Sequence, residues 1–142
     1  MTPLRPILAV LALLCLSTIA LAQEVHAADR TAIKGVITRQ LEAFQHDDGP
    51  GAFSYAAPTI QEQFGTPQRF LDMVRQSYPS VYRPRSVEFS ELLVQDGQVI
   101  QQVELVGPDG ETQLALYFME PGPPGTWHIS GCTLTRSTRV GA

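Results

Sequence analysis

The chain has 142 residues, with ten Lys and Arg against fourteen Asp and Glu and a net charge of −4. No stretch gathers the basic residues into a patch, which argues against nucleic acid or another polyanion as partner. The only two cysteines, Cys15 and Cys132, exclude a disulfide framework or a cysteine-based metal cage.

The chain opens on a short segment carrying Arg5, followed by a run from Ile7 to Leu21 that is apolar apart from Ser17 and Thr18. Ala20-Leu21-Ala22 then precedes polar Gln23-Glu24. This is the charged, apolar and small-x-small order of a secretory signal peptide, expected to be cleaved after residue 22. The run is shorter than the ~20 apolar residues a membrane span needs, so no membrane anchor is expected after cleavage. There is no twin arginine, and Leu14 before Cys15 is too large for a lipidation site. Residues 23–142 then form one domain, with a core over about 29–135 and a loose tail over 136–142. Loss of Arg5 shifts its net charge to about −5, and Cys132 is left as its single thiol.

Residues 29–46 read as an amphipathic helix. Ile33, Val36, Ile37, Leu41 and Phe44 make one apolar stripe, with Asp29 as the expected N-cap. Gly35 suggests a close helix contact. His46-Asp47-Asp48-Gly49-Pro50 breaks the helix. Two short helical pieces follow: Ala52, Phe53, Tyr55 and Ala56 form the buried side of the first, and Thr59 to Glu62 has capping-box spacing for the second. Gly65 ends that piece. Thr66-Pro67 starts the next helix, which buries Phe70, Leu71 and Val74 and stops before Pro79.

From Arg85 the period becomes two, and four strands are predicted, over 85–95, 98–106, 112–120 and 126–135. Asp96-Gly97 is a two-residue hairpin signal, and Gly/Pro-rich turns separate the remaining strands. Consecutive strands joined by short turns make an antiparallel meander. The fold class is therefore α+β, with N-terminal helices packed on a curved four-stranded antiparallel sheet. Alternation places Val99, Val103, Leu105, Leu114, Leu116, Phe118, Trp127 and Ile129 on the core face. The other face would carry Ile100, Val106, Ala115, Tyr117, Met119, His128, Cys132 and Leu134. That face is too apolar to be wholly solvated, so a second copy of the chain is expected to cover it.

Helices followed by a curved antiparallel sheet resemble the nuclear-transport-factor-two-like superfamily, which includes ketosteroid isomerase and the SnoaL-type cyclases. "AIKGVITRQLEAFQHDD" (32–48), "AFSYAAPTIQEQFGTPQRFLDMVRQSYPSVYRPRSVEF" (52–89) and "LALYFMEPGPPGTWHISGC" (114–132) are similar to exported bacterial proteins of the domain of unknown function 4864 family. The resemblance covers nearly all of the chain after residue 22. It implies a cone-shaped cavity between helices and sheet and a periplasmic or secreted location, but no activity. Set against ketosteroid isomerase, the tyrosine slot of the first helix falls on Gln40. The base slot falls near Gln63, beside Glu62, which the capping box already explains. Neither glutamine can exchange a proton as the isomerase residues do.

"YPSVYRPRSVEF" (78–89) joins the last helix to the first strand. Arg83 and Arg85, at i and i+2, point the same way in extended backbone. They form either a clamp for a carboxylate or phosphate or a connector with ordinary ion pairs to acids such as Asp72 or Glu88. The residues expected near the cavity mouth are Tyr78, Tyr82, Arg83 and Arg85, with Gln40 and Trp127 deeper. No metal site, cofactor or catalytic residue is expected. His46-Asp47-Asp48 reads as a solvated helix end. His128 reads as a packed or interface residue without a carboxylate to orient it. Cys132 shares its strand face but lies about 13 Å away along the strand, too far for a thiolate–imidazolium pair. The leading reading is non-catalytic binding of a small ligand or peptide, the ligand anionic or apolar. The alternatives are a structural homodimer or accessory subunit of the cell envelope, and an enzyme whose cavity mechanism matches no familiar motif.

Overall fold

The computed structural model describes residues 25–137. The expected signal peptide, with its cleavage site and Cys15, and tail residues 138–142 lie outside the described residues. Five helices precede four strands: α1 (Ala27–Gln45), α2 (Gly49–Ser54), α3 (Pro58–Phe64), α4 (Pro67–Ser77), α5 (Pro79–Tyr82), β1 (Ser86–Gln95), β2 (Gln98–Val106), β3 (Thr112–Pro121) and β4 (Trp127–Arg136). Among the described residues no helix is long and apolar enough to cross a membrane. The α+β class expected from the sequence is the observed one.

The apolar stripe of α1 is buried as its period requires, with Gln40 and Ala43 added to it. The helix begins earlier than expected, with His26 at the N-cap making no side-chain cap. Asp29 falls inside the first turn and accepts a hydrogen bond from Trp127 Nε1 at 3.1 Å instead. The close neighbour of Gly35 is on α1 itself: a Cβ there would first meet the Arg39 guanidinium, at 3.2 Å.

Asp48 caps α2 by accepting from Gly51 N at 2.9 Å. A Cβ on Gly51 would lie 2.1 Å from Asp48 Oδ2, so this cap requires glycine. The capping box expected at Thr59–Glu62 does not form. Pro58 supplies a φ suited to the first helical position, and α3 starts there with Ala57 as its N-cap. Glu62 is left exposed. Gln61 ties α3 to the end of α2 by donating from Nε2 to Phe53 O (3.0 Å) and Ala56 O (3.1 Å). Thr66 caps α4, its Oγ1 accepting from Arg69 N at 3.2 Å. Pro79 ends that helix and begins the single turn of α5, which the periodicity did not reveal.

The sheet is an antiparallel meander in the order β1-β2-β3-β4. Asp96 and Gly97 have φ of 49 and 77, the two positive values a primed hairpin turn needs. The facing of β3 is the reverse of that expected. The turn after Gly107 pairs Val106 with Thr112, which sets Val103 opposite Ala115, Gln101 opposite Tyr117 and Val99 opposite Met119. Directly opposed residues share a face, so Ala115, Tyr117 and Met119 join the core while Leu114, Leu116 and Phe118 turn outward. A one-residue change of register inverts every side chain of a strand.

In β4 a bulge opposite Phe118/Met119 breaks the alternation, so Ile129, Cys132 and Leu134 all sit opposite core-facing residues of β3. His128, opposite Glu120, is on the outer side and does not share a face with Cys132. The free edge of β4 is taken up by the α2–α3 link: Ile129 N donates to Tyr55 O and Ala57 N to Ile129 O, both at 2.8 Å. The helices cover the inner face only. Phe70 of α4 is their hub, with ring centroids 5.8 Å from Phe44, 5.6 Å from Phe53 and 5.6 Å from Phe64.

Candidate functional site

A cavity of ≈ 480 Å³ lies between the helices and the inner face of β3 and β4. Phe44 of α1, Ile60 and Phe64 of α3, and Phe70, Met73 and Val74 of α4 form its helical wall. Val81, Tyr117, Ile129 and Cys132 close the other side. The position follows from the local structure. The pairing of Ala56 with Ile129 fixes α3 beside β4, and the packing of α4 on Phe44 and Phe53 holds it away from the sheet. Gln63 and Ser77 are exposed yet line the cavity, so they mark its mouth.

The lining contains no carboxylate, imidazole, ammonium or guanidinium group among the described residues. Two of its polar groups are tied to the backbone. Gln40 Nε2 donates to Ala52 O at 3.1 Å, and Ser130 Oγ donates to Phe118 O at 3.1 Å. Tyr117 differs from both. The residue is 1% exposed, and its hydroxyl is buried with no hydrogen-bond partner. Its cross-strand neighbour is Cys132, whose thiol is too weak a partner to satisfy it. Burial, with the adjacent thiol adding to it, holds the Tyr117 pKa well above the ordinary tyrosine value. Burial likewise pushes the Cys132 thiol up to about 12, against a smaller opposing effect of Tyr117. Both groups are therefore neutral at physiological pH, and Cys132 is no thiolate nucleophile. A second buried orphan, Gln101 Oε1, sits outside the cavity, where Gln101 Nε2 donates to the carbonyls of Ser90, Glu91 and Gln102 around a bulge in β1.

Of the residues expected at the cavity, Tyr78 and Gln40 line it; Tyr82, Arg83, Arg85 and Trp127 do not. Tyr82 and Arg83 turn toward the end of α1. Arg83 Nη1 donates to Phe44 O at 2.6 Å, and its Nη2 approaches Asp47 Oδ2 at 3.3 Å. The guanidinium stacks on the Tyr82 ring at 4.2 Å, and Tyr82 Oη donates to Asp47 Oδ1. Arg85 turns the other way and donates to Pro108 O in the β2–β3 turn. The two arginines do not converge, and no anion clamp exists. Nor do they pair with Asp72 or Glu88: Asp72 is engaged by Arg75 of its own helix, and Asp47 holds Arg83. Trp127 anchors Asp29. In the His46-Asp47-Asp48 run, Asp47 serves this clasp and Asp48 caps α2. No cluster of three metal-ligating side chains occurs among the described residues.

The sequence reading missed Tyr117, Cys132 and Ser130 because it turned β3 outward and carried strict alternation through β4. The signal available was the length of the Gly107–Glu111 turn, which sets the register of β3.

A family model described as Domain of unknown function (DUF4864) matches residues 26–142. No curated protein and no solved structure matches the chain.

Proposed function

The chain belongs to the DUF4864 family, and within it we propose a non-catalytic binding protein that holds a small, uncharged, mainly apolar ligand in the cavity between helices and sheet. The observation that carries this is the lining: a volume in the range of small-molecule sites, aromatic and aliphatic walls, and no ionisable group that is charged at neutral pH. Such a lining disfavours an anion, whose desolvation nothing would offset. It also disfavours proton-transfer catalysis, which needs a group that titrates near the working pH. The order of helices and meander supports kinship with the nuclear-transport-factor-two-like cone folds. The composition of residues 1–22 supports export to the periplasm or medium.

Nile red, an uncharged dye that brightens in apolar surroundings, tests the reading. The chain from residue 23 should bind it with micromolar affinity, and Ser77→Trp at the cavity mouth should weaken binding by about tenfold or more. Equal binding by wild type and Ser77→Trp would place the dye elsewhere and overturn the proposal, as would no binding by wild type.

A second reading, compatible with the first, is a homodimer through the outer sheet face. Leu93, Leu114, Leu116 and Phe118 are half-buried there, and Ile100 is 7% exposed without belonging to the main core. No helix covers this face, and an apolar two-fold surface suits a second copy. Sedimentation at tens of micromolar should show a dimer that Leu116→Glu converts to monomer; a wild-type monomer would rule it out.

A further inference from the structure

We infer that the ligand carries a neutral hydrogen-bond donor, a hydroxyl or an amide N–H, and that Gln40 Oε1 accepts it inside the cavity. The inference rests on the cavity reading above and names the polar part of the ligand. Gln40 belongs to the buried stripe of α1, is 4% exposed and lines the cavity. Its Nε2 donates to Ala52 O at 3.1 Å. A backbone carbonyl can only accept, so this bond fixes which end of the amide is nitrogen and leaves Oε1 as the free end. Nothing among the described residues donates to Oε1, yet the atom is not sealed in as Tyr117 Oη and Gln101 Oε1 are. The open space that this buried residue borders is the cavity.

The other polar groups of the lining make no such demand. Gln63 and Ser77 are exposed at the mouth, where water serves them, and Tyr78 is half-buried next to Ser77. The hydroxyls of Ser77 and Tyr78 can turn to give a hydrogen or to take one, whereas an amide oxygen only accepts. Ser130 Oγ, its hydrogen given to Phe118 O, also keeps only acceptor capacity. An occupant of the interior displaces water from Gln40 Oε1. A hydrocarbon or a ketone would leave that oxygen unsatisfied, at a cost. An ammonium would restore the bond but bring a charge that no carboxylate of the lining offsets. A hydroxyl or amide N–H restores it without a charge, and the apolar walls take the rest of the molecule.

A matched pair of probes separates the anchor from the cavity. 1-Decalol and 1-decalone have nearly the same rigid shape, and only the alcohol can donate. Each is titrated against Nile red bound to wild type and to Gln40→Met, which keeps the side chain's length and removes the amide. The melting temperature of each protein confirms that it is folded. Wild type should favour the alcohol by about tenfold, and Gln40→Met should lose that preference. Should Gln40→Met not fold, the side-chain carbonyl ¹³C resonance of Gln40 in wild type gives the same answer: it should move with 1-decalol relative to 1-decalone. No such movement, a preference that survives in Gln40→Met, or no preference in wild type would overturn the anchor and leave the cavity reading intact. Dye binding with displacement by neither compound would also overturn the anchor. Failure of the dye and both compounds to bind would overturn both proposals.

Discussion

Trp127 donates its indole N–H to Asp29 Oδ1 at 3.1 Å, joining the first turn of α1 to the start of β4 across 98 positions of sequence. The bond closes the longest loop among the described hydrogen bonds between side chains, so it forms only once helices and sheet have docked. Asp29→Leu should lower stability by about 1 kcal/mol, and Asp29→Asn, which keeps an acceptor, by less. The chain has a single tryptophan, so urea unfolding followed by its fluorescence reads both the stability and the local environment. Equal stability of all three proteins would show that the bond contributes nothing.

Acid should loosen the clasp at the end of α1. The hydrogen bond from Tyr82 is the main cause that holds the Asp47 carboxyl below its ordinary 3.8; Arg83 adds to it and partial desolvation opposes it. A depressed folded pKa contributes stability above the unfolded value, and that contribution is lost as the pH falls through the folded value. The melting temperature of wild type should therefore fall more steeply below pH 3.8 than that of Asp47→Asn. The same bond raises the Tyr82 pKa above 10.0. Its contribution is present below pH 10 and lost as the pH rises through the folded value, so Tyr82→Phe should flatten both limbs. Parallel profiles for wild type and Asp47→Asn would contradict this.

Tyr117→Phe should raise stability, by about 1 kcal/mol, because it removes a buried hydroxyl that has no partner. Most substitutions of a buried aromatic residue destabilise, so the sign is diagnostic. Urea unfolding of the ligand-free protein measures it. A loss of stability would mean that the hydroxyl is paired in solution.

Cys132 should resist alkylation in the native protein. Its side chain is half-buried in the cavity wall, and desolvation pushes the thiol pKa up to about 12, so the reactive thiolate is scarce at pH 8. Iodoacetamide labelling followed by mass spectrometry of the peptide containing residue 132 should show little modification until urea unfolds the chain. Rapid labelling under native conditions would indicate that β4 opens easily.

The local signals in the chain were sufficient for elements that depend on their own neighbours. The Thr66-Pro67 cap, the Asp96-Gly97 turn, the stripe of α1 and the extent of each strand all follow from steric and hydrogen-bonding preferences within a few residues. Even so, local reading erred where two starts competed, as with Pro58 against Thr59, and where Asp29 had a distant partner in Trp127.

The sequence by itself therefore determined the α+β class, the order of elements and the buried stripe of each long helix, because those are set by periodicity and turn chemistry. Tertiary structure alone decided the facing of β3, since a single residue of register in the β2–β3 turn moves Tyr117 from surface to cavity. It also decided the bulge that turns Cys132 inward, and the separate destinations of Arg83 and Arg85. Two residues apart in the chain, those arginines are drawn to acceptors on different elements, Phe44 O at the end of α1 and Pro108 O between two strands. Their directions are fixed by which carbonyls the packed fold leaves open, and no spacing within residues 78–89 encodes that.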